Sequence, residues 1–409
     1  MSERRPIGLW VQAAAAQSAW LGSRLMMSYQ ALEVTGSTLF ISIQAATFAL
    51  AGLVFALRAG RIADRFGSPI VCLIGISTSI IGTFVALLVP VPAGLLAAAF
   101  LLGAGQIFLL VGQQSVAASS AVNGKSDLAF GALSAATSFG QLIGPPLTAA
   151  VASFGEVGTS QPDTTIGFLV SIVFLVIAFP AAGVLFIRER RSLGLRAEPA
   201  LSRSSPVPVL DVLRISGMSR SLMVSGAVVV TVDLLSSFLP LWGVERGVSA
   251  TTVGLLLAVR AVFTITSRFG MARLLRTFGR KSLIVAAMIV AVIALGLLPL
   301  ANEWWAIPLM ALIGFGLGMP QPLTMAWVAS LAPRRASGAA MGLRMSSNKL
   351  AQFSIPLAVG SITGPLGVAA VFWSTSIFLA CAAALALFSE IPTDEGEAKS
   401  DSLVELSDS

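Results

Sequence analysis

The sequence predicts an all-α polytopic membrane protein, with about twelve transmembrane helices in two six-helix bundles related as parallel repeats. The first observation is composition: 56% of the 409 residues are hydrophobic and only 11% are charged, whereas soluble domains carry about 25% charged residues. The second is the recurrence of apolar runs near the ~20 residues that cross a bilayer as a helix. The third is a charged turn that occurs once in each half. Backbone groups in lipid must be hydrogen-bonded within the segment, so these runs are helices, and they are too long for barrel strands.

The length of the apolar runs places each span in order. The spans fall at residues 7–33, 38–59, 69–90, 93–117, 127–153, 165–187, 217–243, 250–272, 281–301, 304–331, 337–361 and 366–388. They predict an N-terminal six-helix bundle at 1–187, a cytoplasmic linker at 188–216, a C-terminal six-helix bundle at 217–390 and a disordered acidic cytoplasmic tail at 391–409. Prolines, serines and arginines mark the linker, within which VPVLDVLRIS is compatible with a short amphipathic surface helix.

The distribution of basic residues predicts the orientation. The net charge is +7, but with the amino terminus inside, nearly all the loop arginines and lysines fall on the cytoplasmic side. The predicted outer loops hold one basic residue, Arg246. This asymmetry follows the positive-inside rule. We therefore expect a multi-pass protein of the inner or plasma membrane with both termini cytoplasmic, and we interpret the basic excess as a topology signal rather than a nucleic-acid surface.

Two charged turns indicate an internal repeat. GRIADRFG, at residues 60–67, separates spans 2 and 3, and ARLLRTFGRK, at residues 272–281, separates spans 8 and 9. Aligning Phe66 and Gly67 with Phe278 and Gly279 gives an offset close to half the chain. Because each half holds an even number of spans, both copies have the same orientation, which is typical of one group of secondary transporters.

The first turn resembles the loop 2–3 signature of the major facilitator superfamily. The residues that carry the resemblance are Gly60, Arg61, Asp64, Arg65 and Gly67. It implies a cytoplasmic gating clasp that opens and closes with the transport cycle; the alternative is a solvated turn that only sets topology. Family members continue with two basic residues, where this chain has Ser68 and Pro69, so the first clasp departs from the family pattern.

A second motif, GALSAATSFGQLIGPP in span 5, resembles the antiporter motif of the family's exporters. Its matching residues are Gly131, Gly140, Gly144 and Pro145, while Thr148 and Ala149 replace the terminal glycines of the family pattern. Such glycines permit close helix approach, and a proline removes one backbone hydrogen bond. The motif is either a bend at the interface between the halves that favours exchange, or ordinary small-residue packing.

Charges at membrane depth are candidates for function. The basic ones are Arg24, Arg260, Arg268, Arg344 and Lys349, and the deep acid is Asp233. Asp233 and Arg260 each lie about ten residues from the outer ends of adjacent spans, which predicts similar depth and an ion pair. That pair is either structural, or Asp233 is the proton-coupling carboxylate for which the proton and Arg260 compete.

The family resemblance implies which of these side chains meet at a central cavity. Arg24, Gln106, Gln113, Asp233 and Gln321 would face it, with Arg260, Asn348 and Lys349 beside it. The glutamines are equally suited to bonding helices together, and Arg344 and Arg268 lie near the cytoplasmic end, where Arg344 can snorkel. The resulting positive charge favours a solute with an anionic group.

The sequence also excludes several chemistries. The chain has no histidine, and its two cysteines, Cys72 and Cys381, lie in separate spans, so it offers neither a disulfide framework nor metal-ligand spacing. No Walker loop is present, which excludes ATP-driven pumping of that type. We therefore expect no enzyme and no cofactor, but a monomeric transporter driven by the proton gradient, whose partners are the bilayer and a small molecule.

The predicted activity is proton-coupled export of a small anionic or amphiphilic organic solute by alternating access. Uptake of an organic anion by symport or exchange is the first alternative. A transporter-like sensor without flux is the second.

Overall fold

The computed structural model describes residues 7–119, 126–154, 161–193, 209–332, 337–363 and 367–389. The predicted acidic tail and the central part of the predicted linker, residues 194–208, lie outside the described residues. So do Arg4, Arg5, Lys125, Arg334 and Arg335, which contributed to the predicted orientation.

The described chain is built from helices. Those of the first half are α1 (Ile7–Thr35), α2 (Thr38–Phe66), α3 (Ser68–Leu88), α4 (Pro92–Ser119), α5 (Ser126–Ala152) and α6 (Thr164–Leu193). Those of the second half are α7 (Val209–Leu213), α8 (Met218–Glu245), α9 (Ala250–Phe269), α10 (Met271–Leu297), α11 (Glu303–Gly318), α12 (Pro320–Leu331), α13 (Ser337–Thr363) and α14 (Gly367–Leu387), with a 3₁₀ turn at Leu298–Leu300. The predicted all-α polytopic fold is confirmed.

The tenth predicted span is divided into α11 and α12. The division falls at Met319, directly before Pro320, and Pro322 follows two residues later. Neither proline carries an N–H, so neither can continue the hydrogen-bond ladder of α11. The break leaves Gln321 in the first turn of α12.

Nine helical segments within the described ranges are long and apolar enough to cross a membrane. The remaining predicted spans, α1, α5 and α13, have 29, 27 and 27 residues and are therefore long enough as well. They are more polar because they carry residues such as Arg24, Gln141 and Lys349. Polar side chains in spans of full length are candidates for a solute pathway.

The two repeated turns are shorter than predicted. Helix α2 continues through most of GRIADRFG and ends at Phe66, so the turn itself is Gly67, with φ 94° and ψ 151°. In the second copy α10 begins at Met271, and Gly279, with φ 76° and ψ 160°, is the non-helical residue within it. The expectation of a multi-residue loop was wrong because alanine, isoleucine and arginine are adequate helix formers and only the glycine takes the strained conformation.

The chain forms two compact units. Unit 1 comprises the described residues of Met1–Ala200, Leu234–Ala261 and Phe353–Val371, and unit 2 those of Leu201–Asp233, Val262–Gln352 and Phe372–Ser409. The limits of the bundles at 1–187 and 217–390 stay a prediction.

Small residues let the helices of unit 1 pack closely. One core cluster joins α1 to three other helices through its alanines; its members are Ala15, Ala16, Ala19, Cys72, Ile76, Leu109, Leu175, Ala178 and Ala182. Cys72 is thus a buried packing residue, whereas Cys381 is exposed. Without a hydrophobic driving force between helices in lipid, such close contact is a main source of stability.

In unit 2, α7 is the short amphipathic helix that VPVLDVLRIS suggested. Val212 is buried against Met218 and Leu222 of α8, together with Val328 and Ala340. Asp211 and Arg214 remain exposed and form a salt bridge of 3.8 Å. One face of α7 therefore packs on the unit and the other is polar.

Candidate solute-binding site

A small cavity in unit 1 brings together two of the buried arginines. Its lining consists of Leu21, Arg24 and Leu25 of α1, Gln141 and Pro145 of α5, Ser236 of α8, and Leu257 and Arg260 of α9. Its volume is about 10 Å³, which holds about one water molecule. An organic solute therefore requires the cavity to widen.

Arg24 is held by side chains of three helices. It is 6% exposed, and its Nη2 donates a hydrogen bond of 3.1 Å to Oγ of Ser237 on α8. The guanidinium carbon also lies 5.9 Å from the ring centre of Trp20 and 5.5 Å from that of Phe48 on α2. Cation–π contacts and a hydrogen bond partly offset the penalty of burying the charge, so the position of Arg24 is well defined.

Arg260 supplies the second positive charge of the cavity. It is 5% exposed and lies on α9, one turn after Leu257, which lines the same space. Asp233, its predicted partner, lies on α8 in unit 2 and is partly buried. The Asp233–Arg260 pair joins residues of different units and stays a prediction.

The glutamines of α4 bond to glutamines of α1. Nε2 of Gln106 donates to Oε1 of Gln17 at 3.3 Å, and Nε2 of Gln113 donates to Oε1 of Gln12 at 3.1 Å. In this structure both α4 amides thus join two helices, which is one of the two roles expected for them.

Gln321 connects the predicted site residues of unit 2. Its Oε1 accepts a hydrogen bond from Nη2 of Arg268, and its carbonyl oxygen accepts one from Nη2 of Arg344, both at 3.4 Å. Asn348 is buried one turn further along α13, close to Gly226 of α8, and Lys349 is partly buried. Gln321, Arg268 and Arg344 therefore form a hydrogen-bonded polar group within unit 2.

The residues of the gating-loop motif lie at the end of α2. Gly60 is partly buried, Arg61 and Arg65 are exposed, and Gly67 forms the turn. Nε of Arg61 donates to the carbonyl oxygen of Leu57 at 3.4 Å, and the guanidinium of Arg65 lies 5.0 Å from the ring centre of Phe66. The side chain of Asp64 lies outside the described part of the chain. The clasp stays a prediction.

The α5 motif makes two different contacts in unit 1. A Cβ on Gly140 or Gly144 would overlap the backbone of α1 near Ser18, and Oγ of Ser18 donates to the carbonyl oxygen of Gly140 at 3.2 Å. Pro145 instead contacts Gly254 of α9, while Gly131 has open space around it. The glycines therefore serve close packing on α1, and the proline lies at a contact with a second-half helix.

Sequence reasoning missed Gln141, Ser236 and Ser237. Gln141 follows Gly140 inside the quoted motif, and the two serines lie about one helical turn after Asp233. The sequence did offer a signal for these three residues: Gln141 follows a motif glycine, and the two serines follow a deep acid. That signal was weak, because serine and glutamine side chains commonly hydrogen-bond one membrane helix to another without binding a solute.

Membrane-length helices with charged residues buried around a small cavity define a polytopic membrane protein of the transporter class. The chain belongs to the Major Facilitator Superfamily, whose family model matches residues 9–254 and 222–406.

Solved structures share this fold. The nucleoside transporter NupG has a TM-score of 0.73 and 12% identity, with 94% of this chain and 99% of that one covered. A POT family transporter in complex with 5-aminolevulinic acid has a TM-score of 0.69 and 16% identity, with 93% and 95% covered. At these identities the likeness concerns the fold.

One curated relative is a multi-drug resistance efflux pump PmrA homolog of Lactococcus lactis subsp. lactis (strain IL1403). It is 32% identical over 161 residues, which are 38% of this chain and 40% of that protein. The match therefore spans about two-fifths of the relative's length.

Proposed function

We propose that this chain is a secondary active transporter that exports a small anionic or amphiphilic organic solute in exchange for protons. The observation that carries the proposal is that Arg24 and Arg260 line one cavity with Ser236 and Gln141. Guanidinium groups match the geometry of carboxylate and phosphate oxygens. A solute cation would meet repulsion from both arginines in a medium of low dielectric constant.

Export is supported by the printed name of the lactococcal relative, an efflux pump, and by the antiporter-like motif of α5. Proton coupling is supported by Asp233, a carboxylate in the middle of a predicted span of a chain without histidine. We infer that Asp233 exchanges its proton as the transporter alternates between its two faces. Uptake of an organic anion, and a sensor without flux, remain the rival functions.

The remaining features follow from the same proposal. The transporter would work as a monomer in the inner or plasma membrane, with both termini cytoplasmic. The proton gradient would replace ATP and any bound cofactor as the energy source. The linker and the first-half turn would lie on the cytoplasmic side.

Thermal-shift measurements on the purified protein test the anionic preference. Matched probes that differ in charge, such as benzoate and benzamide, separate charge from shape. We expect anions to raise the melting temperature, and Arg24→Lys and Arg260→Gln to abolish the shift. Arg276→Gln is the matched control, because Arg276 is exposed on α10, which contributes no residue to the cavity lining. A panel in which only cations stabilise the protein would reject the anionic solute.

Flux in proteoliposomes with an imposed pH gradient tests the direction. Efflux against the solute gradient, driven by protons moving the other way, supports exchange. Solute moving together with the proton supports symport, and binding without flux supports a sensor. Asp233→Asn should remove the response to the pH gradient while solute–solute exchange persists.

A further inference from the structure

The hydrogen bond between Arg24 and Ser237 joins α1 to α8 within unit 1. Its two residues are 213 positions apart in the chain. Ser237 is 3% exposed and Phe48 is also buried. Trp20 and Phe48 pack edge to face, with ring centres 5.2 Å apart, so the aromatic pair that flanks the guanidinium is itself fixed.

The acceptor in this bond is a neutral hydroxyl. Arginine pairs with carboxylate and phosphate groups are frequently bidentate, and the second parallel hydrogen bond adds both energy and geometric specificity. A carboxylate or phosphate oxygen that entered the cavity would therefore compete with Oγ of Ser237 for Nη2 of Arg24. Ser236, the preceding residue, lines the cavity, so the solute would contact the same turn of α8 from which it displaced the hydroxyl.

We propose that Ser237 is a positioning residue that latches α8 to α1 through Arg24 in the empty cavity and releases Arg24 to the anionic group of the solute. Binding would thereby loosen the α1–α8 contact in unit 1. The release step depends on the proposed anionic solute, whereas the latch in the empty protein does not.

A cysteine in place of the cavity residue Gln141 reports whether the latch is closed. Cys72→Ala and Cys381→Ala provide the background, and a membrane-impermeant maleimide is added at the face opposite the Gly67 turn. Ser237→Val and Ser237→Thr form the matched pair, since valine and threonine have nearly the same shape and only threonine keeps the hydroxyl. We expect the valine variant to be labelled about tenfold faster than the threonine variant, the size of effect that one hydrogen bond to a charged group produces.

Ser225→Ala is the control on the same helix. Ser225 is fully buried, and its hydroxyl has no hydrogen-bond partner among the described residues. Its labelling rate should equal that of the parent, which is the Gln141→Cys protein in the Cys72→Ala, Cys381→Ala background. Ser237→Ala, which adds no atoms, provides the same comparison if the valine variant does not fold.

Equal labelling of the valine and threonine variants, or of Ser237→Ala and Ser225→Ala, overturns the latch. Benzoate is the probe for the release step, measured with Gln141 intact as amide hydrogen exchange at Ser237: it should accelerate exchange in the parent and in the threonine variant, and leave the valine variant unchanged. If the valine variant is fast but benzoate has no effect on the parent, release by a carboxylate is overturned. If no anion of the thermal-shift panel binds while the valine variant is still labelled faster than the threonine variant, the proposed solute class is wrong and the latch stands.

Discussion

Gly254 of α9 lies directly against Pro145 of α5. A Cβ at Gly254 would stand 2.9 Å from the carbonyl oxygen of Pro145, 2.9 Å from Cα of Pro146 and 3.0 Å from Cβ of Ala149. The first two neighbours are backbone atoms inside a helix, so they cannot rotate away. The motif proline and a glycine of the second half thus form one tight contact within unit 1.

Replacing Gly254 should open this contact. Gly254→Ala inserts a methyl group against backbone, and such overpacking typically destabilises by about 1–3 kcal/mol. We expect a lower melting temperature and, with the cysteine reporter at position 141, faster labelling from the face opposite Gly67.

Gly342→Ala is the control for this prediction. Gly342 is in helix α13 and has nothing within 4 Å of its Cβ position. Alanine there should be neutral or slightly stabilising, because glycine is the poorer helix former. If Gly254→Ala behaves like Gly342→Ala, the α5–α9 contact does not hold the cavity closed.

The glycines of the α5 motif should differ in their tolerance of a side chain. A Cβ at Gly144 would lie 2.6 Å from both Cα and the carbonyl oxygen of Ser18, whereas Gly131 has nothing within 4 Å. Gly144→Ala should lower the free energy of unfolding by about 1–3 kcal/mol, and Gly131→Ala should not. Equal effects in thermal unfolding would show that the motif does not act through packing on α1.

Nine of the described membrane segments were predictable from sequence because their apolar length decides them, whereas α1, α5 and α13 were predictable mainly from their length. Gly67 and Gly279 were also predictable as turns, since aligning their flanking residues revealed the repeat. The extent of helix around them was not, because helix propensity continued α2 to Phe66 where charge suggested a loop. In lipid and at its surface, a charged segment without proline can stay helical.

The site was predictable only in part. Arg24 and Arg260 stood out because a buried arginine is rare in a span. Their convergence on one cavity, and the contribution of Gln141 and Ser237, depend on packing between helices far apart in sequence. A serine or glutamine in a span looks the same whether it bonds another helix or faces a solute.

We expect Gln12 and Gln113 to join α1 to α4 through their hydrogen bond, and not to bind the solute. Both side chains are buried, Gln12 completely. Gln113→Leu leaves Oε1 of Gln12 without this donor, so the double variant Gln12→Leu, Gln113→Leu should be less destabilised than the sum of the two single variants. Double-mutant cycles for such bonds in membrane proteins average about 0.6 kcal/mol. A change in the benzoate shift with no coupling in unfolding would instead assign Gln113 to the solute.

Gly67 and Gly279 test the internal repeat, because they share an unusual backbone conformation. Their φ values are 94° and 76° and their ψ values 151° and 160°, a region that is essentially restricted to glycine and costs other residues about 1–3 kcal/mol. Gly67→Ala and Gly279→Ala should therefore lower the free energy of unfolding by similar amounts. The control is Gly60→Ala, since Gly60 lies within helix α2 and has nothing within 4 Å of its Cβ position. Gly279 has no neighbour within 4 Å of that position either, so its penalty comes from the backbone alone. A penalty at one turn and none at the other, measured by denaturant unfolding, would show that the two copies do not form equivalent turns.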